Sequence, residues 1–184
     1  MTIDTVTLFF ALLAVALQLG IALTLLSFLI PSARIALMDA IAPIALLMAA
    51  AIAVVSMLGS LYLSEVAKFT PCKLCWYQRT AMYPSAILLV IAAFRGDGTV
   101  RRYVLPLVGL GAIISSYHIL LERFPNLESG TCDPTNPCSL IWFEKFGFVT
   151  IPVMALTAFL AIAGLLSIRR LSSGPTNQQK VVSP

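Results

Sequence analysis

Five long apolar runs separated by short polar segments dominate the chain: Val6 to Ile30, Ile41 to Leu63, Trp76 to Phe94, Tyr103 to Leu121 and Phe148 to Ile168. Each approaches or exceeds the roughly 20 residues that a helix needs to cross about 30 Å of hydrocarbon. Backbone polar groups in lipid must be satisfied within their own segment. Runs this continuous therefore suit helices rather than the alternating strands of about ten residues found in a barrel. The pattern predicts an all-α membrane protein: a four-helix transmembrane bundle plus one extra N-terminal transmembrane helix, five spans in all. Composition agrees, since 59% hydrophobic residues, 11% charged residues and a mean hydropathy of +0.95 lie far outside the soluble range. The leader Met1 to Thr5 has no Lys or Arg, and the run after it exceeds the apolar core of a secretory signal, so the first run is read as a retained helix.

Charge then orients the spans, because short loops rich in Lys and Arg stay in the cytoplasm. Arg34 follows the first run, Arg95, Arg101 and Arg102 separate the third and fourth, and Arg169, Arg170 and Lys180 follow the fifth. These segments are expected to be cytoplasmic. The alternate loops hold Lys68, Lys73, Arg123 and Lys145, diluted by Glu65, Glu122, Glu128, Asp133 and Glu144, and are expected outside together with the N-terminus. The net charge of +4 is then membrane topology plus a basic tail. No interleaving of basic and aromatic residues points to nucleic acid, and membrane lipid is the expected surrounding. Residues 1–36 read as the extra helix and its cytoplasmic turn, 37–170 as a four-helix unit, and 171–184 as a disordered cytoplasmic tail.

All four cysteines fall on the outer, oxidising face, where disulfides persist. Cys72 and Cys75 open the third run. Thr70 is expected to be the N-cap and Pro71 the first helical residue, which places both thiols in the opening turns. The positive end of the helix and Arg79, one turn beyond Cys75, favour a thiolate at Cys75. Its place beside the hydrocarbon suits a lipid-soluble oxidant. Cys132 and Cys138 lie in a loop containing Pro134 and Pro137, reachable by a protein. Downstream, Trp142, Phe143, Phe146 and Phe148 interleave with polar residues as in an interfacial segment that would hold this loop near the first pair. Pro84 is expected to kink the third helix beside a pocket, and Trp76 and Tyr77 read as interface anchors rather than stacking partners for a cofactor. The residues alone also admit two structural disulfides or a Cys₄ zinc site, a buried structural role for His118, and an Arg79 that merely reaches the headgroups.

The motifs "PCKLCWYQR", "SYHILLERFP" and "CDPTNPCSLIWFEKFGFVTIPVMALTAF" together resemble the DsbB/BdbC family of quinone-linked thiol oxidases. The resemblance runs over roughly Ile41 to Ile168 and is closer to the BdbC type in the short spacing of its second pair. The helix from Val6 to Ile30 is an addition without an assigned role. The resemblance implies a membrane thiol-disulfide oxidoreductase of the bacterial cytoplasmic membrane. It would reoxidise a thioredoxin-like extracytoplasmic dithiol oxidase (DsbA/BdbD-like) through Cys132 and Cys138, then pass electrons through Cys72 and Cys75 to a quinone, either ubiquinone or menaquinone. On that scheme the partner attacks Cys132, Cys138 exchanges with Cys72, and Cys75 faces the quinone. Arg79 stabilises charge at that site, and His118 serves the quinone as hydrogen-bond donor or proton carrier. No metal is implied. Two other classes fit more loosely: a reductase of the vitamin K epoxide reductase type, which carries its CxxC late in the chain, and a non-catalytic scaffold with structural disulfides.

Overall fold

The computed structural model describes residues 2–128, 132–133 and 135–172, with side chains described to residue 168. Six α-helices follow in order: α1 Ile3–Ser27, α2 Pro31–Ile41, α3 Ala45–Glu65, α4 Lys73–Arg95, α5 Arg101–Arg123 and α6 Ile151–Ser172. The remainder of the expected disordered tail, from residue 173, lies outside the described residues, as does Pro134 of the loop. No strand occurs among the described residues, only two isolated bridges, Asp133 with Asn136 and Lys145 with Val149. The short helix α2 is unanticipated. It starts with Pro31 in its first turn, where the missing N–H is harmless and the fixed φ favours a helix.

Among the described residues, four segments are long and apolar enough to cross a membrane: Ile3–Ser27, Ala45–Glu65, Gly98–Arg123 and Ile151–Ile168. The expected fifth span, Trp76 to Phe94, lies in α4, which has 23 residues but does not join them. Lys73, Gln78, Arg79, Thr80 and Arg95 lower its hydropathy without shortening it. The helix runs through Pro84 and ends at Gly96, whose φ of 67° is a left-handed cap that glycine adopts without penalty.

Helices α3 to α6 form a ring in which each packs on its neighbours, α3 closing on α6. Small residues let them approach, as is usual where lipid provides no hydrophobic drive between helices. Ala45, Ala49 and Ala53 make one buried stripe of α3, and Ala81, Ser85, Leu89 and Ala92 another on α4. On α5 the buried positions Val104, Val108, Gly111, Ser115 and His118 recur every three or four residues, so one face meets the core over the whole length. Buried hydroxyls are satisfied locally, Ser85 Oγ donating to the Ala81 carbonyl at 2.7 Å and Ser115 Oγ to that of Gly111 at 2.8 Å. Helix α1 lies outside the ring against α6. Gln18 Nε2 donates to Thr157 Oγ1 at 3.0 Å, and Asp4 pairs with Lys145.

Candidate functional site

The four cysteines and His118 meet at one end of the ring. The connection from α3 delivers Cys72 to the start of α4, and His118 stands one turn before the end of α5. Cys132 and Cys138 are joined by a disulfide with Cα atoms 5.8 Å apart. Cys72, Leu74, Leu121, Cys132 and Cys138 form one buried cluster, with Cys75 and Tyr117 packed on it. Asn136 Nδ2 donates to the Pro71 carbonyl at 3.1 Å. Glu128 accepts from the Cys138 backbone N–H at 3.1 Å and the Ser139 hydroxyl at 3.0 Å. The loop is thereby tied to the segment just before α4 and to the turn that follows α5. Residues 142–148 contain no helix. They turn back through Phe146 and Gly147, at φ 56° and 73°, while Trp142 stacks on Phe69 at 5.1 Å and lays the segment over the approach to α4.

The start of α4 differs from the expected capping. The N-cap is Cys72, whose Sγ accepts from the Cys75 backbone N–H at 3.3 Å. Thr70 and Pro71 stay outside the helix, with the Pro71 carbonyl engaged by Asn136. The sulfur thus does the work usually given to a Ser or Asp oxygen, satisfying an orphan N–H at the positive end of the helix dipole.

The preferred thiolate moves with the cap. The Cys72 and Cys75 sulfurs are free thiols 3.0 Å apart, and His118 Nε2 is 3.6 Å from Cys72 Sγ. The Cys75 thiol beside Cys72 lowers the Cys72 pKa most. Burial opposes this, His118 and the Cys75 N–H add to the lowering, and the result is a pKa of about 4. These contacts favour the anion at Cys72, whereas the spacing to Arg79 favours it at Cys75. Arg79 is drawn toward α3, its Nε and Nη2 donating to the Ser60 hydroxyl at 2.9 Å and carbonyl at 3.0 Å, and its guanidinium lies 5.2 Å over the Trp76 ring. Trp76 and Tyr77 are themselves exposed.

His118 is buried and held on both ring nitrogens. Gln78 Nε2 lies 3.1 Å from Nδ1 and the Cys138 carbonyl 3.0 Å from Nε2. An amide nitrogen only donates, so Nδ1 accepts, and Nε2 carries the proton toward the Cys138 carbonyl and Cys72 sulfur. Sequence reasoning missed Gln78. Its signal was a polar residue three positions after Cys75, on the same helical face of an otherwise apolar run.

On the other side of Cys75 a cavity of about 440 Å³ extends between α1, α3, α4 and α6. Cys75, Gln78, Arg79 and Ser60 border one end, and the remaining walls are largely apolar. His118 does not border it, since its ring is committed to the thiol cluster. The two cysteines of α4 therefore divide: Cys72 faces the loop disulfide and His118, and Cys75 faces the cavity.

The sequence model described as "Disulfide bond formation protein DsbB" matches residues 42–166. The chain is 49% identical over 112 residues to "Disulfide bond formation protein C" of Bacillus subtilis (strain 168), covering 60% of this chain and 81% of that protein. It is 46% identical over 116 residues to "Probable disulfide formation protein" of Coxiella burnetii (strain Dugway 5J108-111), covering 62% and 79%. It is 42% identical over 120 residues to "Probable disulfide formation protein C 2" of Bacillus anthracis, covering 65% and 86%. No solved structure matches.

Proposed function

The chain belongs to the family of disulfide bond formation protein DsbB, a membrane disulfide oxidoreductase family, and from that premise we propose that it reoxidises a thioredoxin-like extracytoplasmic dithiol oxidase and passes the two electrons to a membrane quinone. The observation that carries this reading is the division of the α4 pair, one thiol against the loop disulfide and the other against an apolar cavity.

A partner thiolate attacks Cys132, the less buried residue of the two at 7% exposure against 1% for Cys138, and Cys138 leaves. The second partner thiol resolves the mixed disulfide, so the partner is oxidised and Cys132 and Cys138 are left as a dithiol. When Cys72 and Cys75 are joined, Cys138 attacks Cys72 and expels Cys75. Cys132 then closes on Cys138 and expels Cys72. A sulfur with a low pKa leaves readily, and Cys72 with a pKa of about 4 suits that step. His118 Nε2, between the Cys138 carbonyl and Cys72, holds a proton where thiolates exchange. It belongs to the exchange rather than to the acceptor.

The cavity fits a quinone, with polar Arg79, Gln78 and Cys75 at one end for a ring and apolar walls for a tail. A bound quinone would accept the two electrons and two protons of the Cys72–Cys75 dithiol as these sulfurs rejoin. Arg79, positioned by Ser60, would stabilise negative charge at that end in a poorly hydrated site. Residues 37–170 form the redox unit. All five long helices span the membrane, with the cysteines and N-terminus outside and the C-terminus cytoplasmic.

The test is stopped-flow oxidation of a reduced thioredoxin-like oxidase by the purified protein while quinone absorbance is followed. Cys75→Ser is expected to abolish quinone reduction, and Cys132→Ser to abolish partner oxidation. Loss of partner thiols by the unmodified protein without quinone consumption would overturn the acceptor assignment.

A further inference from the structure

Helix α1 lies outside residues 42–166, the stretch matched by the family, yet it forms one wall of the cavity through Phe10, Leu13, Ala14 and Leu17. Its seat is specific. Thr7, Ala11 and Ala14 are buried, and two polar ties hold the helix, Asp4 to Lys145 near its start and Gln18 to Thr157 further along. Between them Phe10 rests on Gly59, where an added Cβ would stand 2.9 Å from the ring. Gly59 adjoins Ser60, the residue that holds Arg79. Phe10 thus sits at the level of the polar end of the cavity. Leu17, seven residues on, lies roughly 10 Å deeper at the helical rise of about 1.5 Å per residue, level with Ile52 and Val55 of α3 in the apolar part.

We propose that α1 is the tail-gripping wall of the acceptor site, and that Leu17 sets the fit of the hydrocarbon tail of the quinone that enters. The proposal rests on the quinone reading above. α1 presents small residues to the cavity at Ala14 and Ala16, leaving a space between itself, α3 and α6. The polar end, bordered by Arg79 and Ser60, needs nothing from Leu17. A change at Leu17 therefore alters selection among tails and leaves recognition of the ring alone.

The experiment compares the KM of the full-length protein for two quinones with the same ring, one bearing a ten-carbon alkyl tail and one without a tail. A reduced thioredoxin-like oxidase serves as electron donor. Leu17→Trp is expected to raise the KM for the tailed quinone at least about tenfold, the scale on which apolar pockets discriminate by methylene groups, while the tail-less quinone shifts less than about twofold. Leu17→Ala is expected to shift the tailed quinone alone, and it carries the test should the tryptophan variant not insert. Leu19→Trp, on the exposed side of α1, is expected to shift neither. Equal shifts for both quinones, or none at Leu17 while Arg79→Ala still raises both values, would overturn the role of α1 and leave the quinone reading standing. Failure of the unmodified protein to reduce either quinone would remove the quinone reading itself, and this proposal with it.

Discussion

A cysteine that caps its own helix and accepts from a second thiol has an unusually stable thiolate, and the pH dependence of Cys72 tests this directly. Its pKa is lowered from 9.0 to about 4, so the reactive form is fully present above that value and disappears below it. The rate of alkylation at Cys72 in the reduced protein, read by peptide mass, is expected to stay nearly flat from pH 8 to about 5 and to fall through about 4. An ordinary thiol would lose about tenfold per unit over that range. The same shift has a consequence for stability. Between these two values the unfolded chain binds the proton that native Cys72 has given up, so the reduced protein is expected to lose stability as pH falls from 9 towards 4. Gln78 acts one residue further back. Gln78→Leu leaves His118 Nδ1 without its buried donor, which is expected to destabilise the protein by about 1–3 kcal/mol in thermal unfolding. It is also expected to raise the alkylation midpoint of Cys72, since His118 helps to hold that midpoint down. An unchanged midpoint would separate His118 from the thiolate.

Helix α5 packs closely on α6 at Gly111. A Cβ placed on Gly111 would stand 2.3 Å from the Phe159 ring, and Phe159 is among the largest fully buried side chains. The ring cannot step aside into a filled core. Gly111→Ala is therefore expected to cost about 1–3 kcal/mol by overpacking, measured as a lower unfolding temperature in detergent, and Phe159→Leu in the same chain is expected to restore part of the loss. Gly109, two residues earlier on the opposite side of α5, has nothing within 4 Å of such a Cβ, and alanine there is expected to be neutral or slightly stabilising. Gln78, which bonds His118, and Arg79, which bonds Ser60, also border the cavity and lower the hydropathy of α4, the one of the five long helices that falls short of the apolarity of a membrane span.

For the whole molecule, the five-span reading makes a topological claim. An odd number of crossings puts the termini on opposite faces, whereas exclusion of α4 would put them on the same face. Reporter fusions are expected to be active outside at the N-terminus and inside at the C-terminus. A C-terminus on the N-terminal side would show that α4 does not cross. Much of this protein was legible along the chain, because apolar runs mark the five long helices to within about four residues at each end, cysteine spacing is local, and the motifs around Cys72, His118 and Cys138 mark the family. Sequence by itself determined the all-α membrane class and the residues that gather at one end. It did not determine which thiol of α4 the contacts favour as the anion, that His118 packs with the thiol cluster rather than beside the cavity, or that α1 walls the cavity. Those depend on contacts between residues far apart in the chain: Asn136 with Pro71, Gln78 with His118, Ser60 with Arg79 and Phe10 with Gly59. Burial, hydrogen-bond partners and the shape of a void are properties of packed surfaces, and only the tertiary structure brings those surfaces together.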